Sequence, residues 1–327
     1  RGTSSHQYNP AVILAERETT ETAGGCYAMS FVYSGGFQSE AGMDQYYQTR
    51  LLMGLCEEQF AYPLEAGEEF QSPEVILSYS SEGIEKLSQN LHRCMRGHLC
   101  RGKYKESVRP ILLNSWEAFY FDFTGDDLVK LAEQAADLGI EMFVMDDGWF
   151  GNRDSELRGL GDWTVNEAKL GCTLGGLIRR INDMGMKFGI WIEPEMVNED
   201  SSLYREHPDW AFVIPGRRPN RSRHQLVLDF SRKEVVDYIY DKIRAVLDQG
   251  NIEYIKWDMN RSIADVYSAT GDGQGRVLYD YVLGLYDFLE RIVQRYPDIL
   301  IEGCSGGGGR FDAGMLYYTP QIWCSDN

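Results

Sequence analysis

From Pro110 onward, short apolar runs alternate with longer stretches of helical periodicity, and this alternation narrows the fold more than any other feature of the sequence. The apolar runs are Ile111–Ser115, Met142–Met145, Phe188–Ile192, Leu226–Leu228, Tyr254–Lys256, Leu300–Ile301 and Gln321–Trp323. Helical patterns between them cover Asp126–Leu138, Leu177–Met184, Arg232–Asp248 and Leu278–Tyr296. Strands joined by helices of this length build βαβ units on a parallel sheet. Gly139, Gly185 and Gly250 fall where three of the helices should stop, as C-terminal glycines do. No GxGxxG turn opens a unit, and polar residues follow nearly every run instead of gathering at one switch point. The pattern therefore predicts an α/β fold, a (β/α)8 TIM-type barrel, over a doubly wound sheet. Six or seven units fall short of eight, and the last run reaches Asn327 at once, so the expectation is that the closing strands lie downstream.

The first part of the chain has a different texture. Ala11–Glu16, Cys26–Tyr33 and Glu74–Tyr79 read as strands separated by Gly-Gly and Pro turns, part of an antiparallel β-sandwich. Gly83–His98 reads as an amphipathic connecting helix, with Ile84, Leu87, Leu91 and Cys94 on one face. The expected organisation is sandwich over 1–81, a linking helix over 82–108, and an incomplete barrel over 109–327.

With 50 acidic against 32 basic residues the net charge is −18, and the cations are scattered singly. Such a surface repels a phosphate backbone, which argues against nucleic acid and anionic membranes as partners and suits a neutral, hydroxyl-rich substrate. No apolar run approaches the roughly 18–20 residues of a membrane span, and the opening Arg1-Gly-Thr-Ser-Ser-His6 has no signal-peptide core. The seven cysteines are odd in number, widely spaced and free of CxxC or zinc-ligand patterns, which predicts free thiols in a reducing, cytoplasmic compartment and no metal or cofactor.

Chemistry in a barrel sits at the C-terminal ends of the strands, and two aspartates there carry the argument. Asp258 in Lys256-Trp-Asp258 and Asp326 in Trp323-Cys-Ser-Asp326 each follow a tryptophan-containing run. A carboxylate pair with aromatic neighbours is the equipment for breaking a glycosidic bond. Lys256 lies two residues before Asp258, on the same face of an extended strand, where its ammonium keeps the carboxylate ionised as a nucleophile requires. Trp116 offers either a wall for a sugar face or a core side chain. Asp146 and Asp147 point opposite ways on a straight strand, so both reach one pocket only if Gly148 turns the backbone. Glu193 and Glu195 are rival carboxylates flanking Pro194. Arg223 is a holder of substrate hydroxyls or a solvated loop cation. The Gly306–Gly309 run lacks the GK[ST] ending of a P-loop, which favours backbone N–H groups and close approach to a ligand over phosphate binding.

Six ordered motifs, Asn114-Ser-Trp-Glu-Ala118, Asp146-Asp-Gly-Trp149, Trp191-Ile-Glu-Pro-Glu-Met196, Lys256-Trp-Asp-Met-Asn260, Cys304-Ser-Gly-Gly-Gly308 and Trp323-Cys-Ser-Asp326, together resemble the bacterial α-galactosidases of glycoside hydrolase family 36. The resemblance covers nearly the whole chain. It implies a retaining double displacement with Asp258 as nucleophile and Asp326 as acid/base, the latter with a raised pKa. It also implies that Asp146 and Asp147 bind the C4 and C6 hydroxyls of galactose, and that Trp116, Arg223, Lys256, Asn260, Cys304 and Gly306 line the subsite. The substrate it implies is a terminal α-galactoside such as melibiose or a raffinose-family oligosaccharide, and the assembly a homotetramer whose sandwich loops reach a neighbour's site. Alternatives are transfer of galactose to sucrose, an N-acetylgalactosamine substrate, a magnesium-dependent enolase-type barrel with Asp147, Glu195 and Asp258 as ligands, and a catalytically dead sugar-binding protein.

Overall fold

The computed structural model describes residues 2–326; Arg1 and Asn327 lie outside the described residues. The N-terminal region holds two separate antiparallel sheets. Strands β1 (Ala11–Ala15), β2 (Cys26–Phe31) and β5 (Val75–Ser80) form one, in the order β1-β2-β5, and β3 (Phe37–Met43) and β4 (Thr49–Leu55) form a hairpin. Helix α1 (Gly83–Cys94) packs Leu87 against Cys26 and Ala28 of β2, then loosens into one π-helical turn over Met95–Leu99. The hairpin is absent from the sequence reading because its strands are largely exposed and carry no inside–outside alternation.

The larger region is built on six parallel strands, β6 (Leu112–Asn114), β7 (Met142–Met145), β8 (Lys187–Ile192), β11 (Tyr254–Trp257), β12 (Leu300–Gly303) and β13 (Gln321–Ile322), adjacent in that order, the arrangement of a partial TIM barrel. Strands β7, β11 and β12 are buried along their whole length, as expected of a sheet covered on both faces. The inner face packs Met142, Val144, Tyr254 and Leu300 with Tyr104, which comes from a 3-10 turn (Lys103–Lys105) at the N-terminal end of the strands. Gly189 is required here, since a Cβ would sit 2.6 Å from the Tyr254 ring on the neighbouring strand.

Helices cover the outer face. After a short helix α2 (Trp116–Phe119), α3 (Gly125–Asp137) begins in a capping box between Thr124 and Asp127 and buries Leu128, Val129, Ala132 and Ala135. It ends in a Schellman motif in which Gly139 takes a φ of 84° and the Ile140 N–H reaches back to Ala135. A short α4 (Glu167–Leu170) leads to α5 (Leu174–Asn182), which buries Leu174, Leu177, Ile178 and Ile181 and stops before Gly185, φ 81°. The pair α7 (Lys233–Leu247) and α8 (Val277–Arg295) covers β11 and β12 with Ile239, Ile243, Leu285, Phe288 and Leu289 among others. Each such apolar side chain contributes about 1.5–3 kcal/mol on burial.

Two expectations are corrected. Leu226–Leu228 is not a strand of the parallel sheet: β10 (Leu226–Val227) pairs antiparallel with β9 (Met196–Val197), forming a two-stranded flap between β8 and α7, with the small helix α6 (Ser202–Glu206) beside it. Its apolar character comes from burial of Leu226, Val227 and Leu228 in the main hydrophobic core. Gly250 is not a left-handed cap either, because its φ is not positive; it is small because a Cβ would meet Ile178 of α5 at 2.6 Å.

Candidate active site

Parallel register brings the C-terminal ends of the strands to one rim, and every polar motif lies on it. At the end of β6, Asn114 donates to Asp146 (2.6 Å) and the Ser115 hydroxyl accepts from the Asp146 N–H (3.0 Å). Trp116 follows in α2, half-buried, with Tyr120 and Phe121 edge-on to its ring. Beyond β7 the backbone turns at Gly148 (φ 105°), and both aspartates are buried. Asp146 pairs with Lys256 at 3.0 Å from across the sheet. Asp147 is gripped by Arg153 through Nε at 3.0 Å and Nη2 at 2.7 Å. Burial pushes the Asp147 carboxyl up, and Arg153 offsets only part of that. Arg153 has no periodic or motif signal; its position six residues after Asp147 is the one clue the sequence offers.

Asp258 follows β11, the third strand from β13, and is the most heavily hydrogen-bonded carboxylate of the rim. Its Oδ1 accepts the backbone N–H groups of Met259 (2.8 Å), Ser305 (2.9 Å) and Gly306 (3.2 Å). Its Oδ2 accepts the Trp191 indole (3.1 Å) and the Asn260 amide (2.7 Å). Burial works to raise its pKa, but the Lys256 charge and the Asn260, Trp191 and Met259 donors outweigh it, so the carboxyl lies below its ordinary value. Lys256 is held charged in turn: burial pulls its pKa down, and Asp146, Cys304 and Asp258 push it further up. Its ammonium also lies 4.5 Å from the ring centroid of Trp323. Lys256 thus acts on Asp258 through its field while bonding Asp146.

The glycine-rich loop after β12 explains those donors. Its turn, α9 (Ser305–Gly308), has Ser305, Gly306 and Gly307 at φ 63°, 60° and 78°, which aims two successive N–H groups at Asp258. The same glycines let Trp323–Asp326 pass close by: a Cβ on Gly307 would lie 2.7 Å from the Asp326 nitrogen, and one on Gly308 2.9 Å from the Trp323 carbonyl. Within the chain this run closely approaches Asp258 and the Asp326 segment. Asp326 itself is exposed just beyond β13, and a short helix α10 (Ala313–Leu316) links the loop to that strand. Cys304 is buried below the loop, where burial and the charge of Asp258 push its thiol up.

The remaining expected residues fall into place unequally. Arg223 is exposed and donates to Asn260 Oδ1 (3.0 Å) from a tight turn in which Arg223 and His224 both take positive φ. Glu195 is fully buried and spoken for by Arg310 (2.9 and 2.7 Å), the Tyr281 hydroxyl (2.6 Å) and the Trp257 indole (3.0 Å). Burial raises its pKa, and Arg310 with the two ring donors brings it below the ordinary value. Glu193, also fully buried, accepts from Gln225 (2.9 Å) and from the Asn260 N–H. The enolase-type reading loses its ligands here, since Asp147 and Glu195 are each forked by an arginine. Among the described residues no group of three His, Cys, Asp or Glu could hold a metal ion.

Residues 69–327 match the profile described as Melibiase, and residues 1–65 that of the glycosyl hydrolase family 36 N-terminal domain. The chain belongs to glycoside hydrolase family 36. Family 36 relatives include the bifunctional alpha-galactosidase/sucrose kinase AgaSK of Mediterraneibacter gnavus, 68% identical over 327 residues, covering 100% of this chain and 34% of that protein. Alpha-galactosidase Mel36A of Lactobacillus acidophilus is 49% identical, covering 100% of this chain and 45% of that protein. The solved GH36 alpha-galactosidase AgaA of Geobacillus stearothermophilus superposes with a TM-score of 0.97 at 48% identity, over 100% of this chain and 46% of that one. The chain therefore spans about a third to a half of the length of the family 36 proteins it matches. None of its seven cysteines forms a disulfide, and no helix among the described residues is long and apolar enough to cross a membrane.

Proposed function

We propose that this protein is a retaining exo-α-galactosidase that removes terminal non-reducing α-D-galactosyl residues through a covalent galactosyl-Asp258 intermediate. The observation that carries the reading is the state of Asp258: buried, held below its ordinary pKa, and fixed by five donors at a strand end. Such a carboxylate is ionised and immobile, as an attacking group must be. Asp326 protonates the departing glycosidic oxygen and then takes a proton from the water that hydrolyses the intermediate. Asp146 and Asp147 accept the C4 and C6 hydroxyls, with Trp116, Arg223, Lys256, Asn260, Cys304 and Gly306 around the ring. Trp191 joins them through its bond to Asp258. A buried carboxylate matched to an axial hydroxyl discriminates against glucose, since leaving it unmatched costs about 1–3 kcal/mol.

Family 36 membership supports this reading, as do variants of AgaA solved in complex with raffinose and with stachyose. By extension the substrates here are melibiose and raffinose-family oligosaccharides, the site is cytoplasmic, the assembly is a homotetramer, and 1–81, 82–108 and 109–327 are the sandwich, link and barrel. The test is turnover of an aryl α-D-galactoside by the full-length protein beside its Asp258→Gly variant with and without azide. Loss of turnover and its return as β-galactosyl azide is the expected result; no turnover by the parent, or full rate in the variant, sinks the proposal. Product analysis with sucrose as acceptor separates hydrolysis from galactosyl transfer.

A further inference from the structure

Glu193 lies next to the proposed nucleophile and has no role in the reaction as described. It follows β8, Asp258 follows β11, and the two strands pair in register with Ile192 opposite Trp257. The Asp258 N–H donates to the Ile192 carbonyl (2.8 Å), so two carboxyl groups occupy adjacent strand ends inside the same buried rim. Their surroundings differ sharply. Asp258 has the Lys256 charge and five donors. Glu193, fully buried, has only neutral donors, Gln225 Nε2 on Oε2, the Asn260 peptide N–H on Oε1 and the Asn260 side-chain amide. Among the described residues no cationic side chain hydrogen-bonds it. Arg153, whose charge reaches it, is already committed to Asp147 and Asn198, and Arg261, on the far side of Gln225, donates to carbonyls. Two like charges so placed resist ionising together, and near neutrality the group with the poorer set of donors keeps its proton.

The contact to Asn260 gives the neutral carboxyl a task. Glu193 Oε1 fixes the Asn260 backbone, and the Asn260 side chain holds Asp258 Oδ2. Gln225 serves either protonation state: its amide donates to a carboxylate, and turned over, its Oε1, which has no partner as placed, accepts a carboxyl proton.

We infer that Glu193 is a positioning residue that works as a neutral acid, holding Asn260 and hence Asp258 in place while keeping a second negative charge away from the nucleophile. Burial and the Asp258 charge push its pKa from 4.5 to about 8, against the smaller pull of the Asn260 N–H, the Arg153 charge and the Asn260 side chain. Above that pH the two carboxylates repel, and the attacking oxygen moves off its line; a displacement of about 1 Å costs roughly 10²-fold in rate.

This inference rests on the proposed α-galactosidase reaction, and its test separates the two. With α-galactosyl fluoride, whose leaving group needs no proton from Asp326, kcat/KM of the full-length protein should fall about tenfold per pH unit above pH 8. Glu193→Gln, which keeps shape and removes the titration, should stay within about fivefold of the parent at pH 6 and flat through that range. A variant that falls as the parent does, or that loses more than about 100-fold at pH 6, overturns the inference. A second measurement needs neither substrate nor variant: infrared spectra of the protein labelled with ¹³C at its glutamate carboxyls. A protonated-acid stretch that shifts with the label and disappears as pH rises past about 8 is expected. Absence of that band at pH 6 overturns the inference even if α-galactosides are turned over, and its presence without turnover leaves only the reaction refuted.

Discussion

Asp258 and Asp326, proposed for one reaction, occupy opposite situations on the same sheet. Asp258 ends β11, which has β8 on one side and β12 on the other, and each neighbour supplies donors: Trp191 from β8, Ser305 and Gly306 from beyond β12. Asp326 follows β13, which among the described residues pairs only with β12, and it has the glycine-rich loop on one flank. A nucleophile needs a constant charge in a fixed place, which neighbours on both sides provide. An acid/base group must instead release and recover a proton and meet leaving groups of many shapes, a task that a five-donor clamp would hinder.

The comparison is broken most directly by removing each carboxylate from the full-length protein. Asp258→Ala should lower kcat by about 10⁴-fold or more for every substrate, because attack itself is lost. Asp326→Ala should cost about 10²–10⁴-fold with raffinose and far less with an activated leaving group, a dependence steady-state kinetics across a phenol series will reveal. Equal losses with all leaving groups would make the two positions equivalent and end the contrast. A narrower test is Gly307→Ala, at φ 78° with the Asp326 nitrogen 2.7 Å from the new methyl. It should displace Asp326 more than Asp258, so kcat should drop roughly 10–100-fold with raffinose but only a few-fold with α-galactosyl fluoride.

How much of this was legible without coordinates follows from the same contrast. The strand ends were, because alternating period and C-terminal polar residues mark them, and Asp146, Asp258 and Asp326 all fall on the rim. The flap strand Leu226–Val227 differs from the expectation, since a buried apolar run in a short antiparallel pair has the same local signature as one in the parallel sheet. Partnerships were hidden throughout. Glu193 and Glu195 look alike in sequence, yet Arg310, 115 residues away, takes one and leaves the other beside Asp258. Lys256 was placed on the right face but bonds Asp146, 110 residues distant, which no local spacing reveals.

The smallest expected effects concern stability. Arg310→Met leaves Glu195 buried without its cation and should destabilise the fold by about 3–5 kcal/mol, read as a lowered denaturation midpoint. Glu195 also gives a pH signature. Its folded pKa is depressed, so the stability it contributes is present above the ordinary value of 4.5 and is lost as pH falls through the lower folded value. Glu193 has the opposite sign: its contribution is full below 4.5 and is lost as pH rises toward about 8. Thermal denaturation against pH should therefore show a shallower acid-side decline with Arg310→Met and a shallower alkaline-side decline with Glu193→Gln.

Three of the five groups that hold Asp258 are peptide N–H groups, at Met259, Ser305 and Gly306. Alanine scanning, which trims side chains and keeps the peptide, cannot remove them. A scan of this rim will score Trp191 and Asn260 and pass over the loop, crediting side chains with work that the main chain shares. Replacing the Met259, Ser305 or Gly306 amide by an ester through chemical ligation deletes one N–H at a time, and would weigh the loop's share directly.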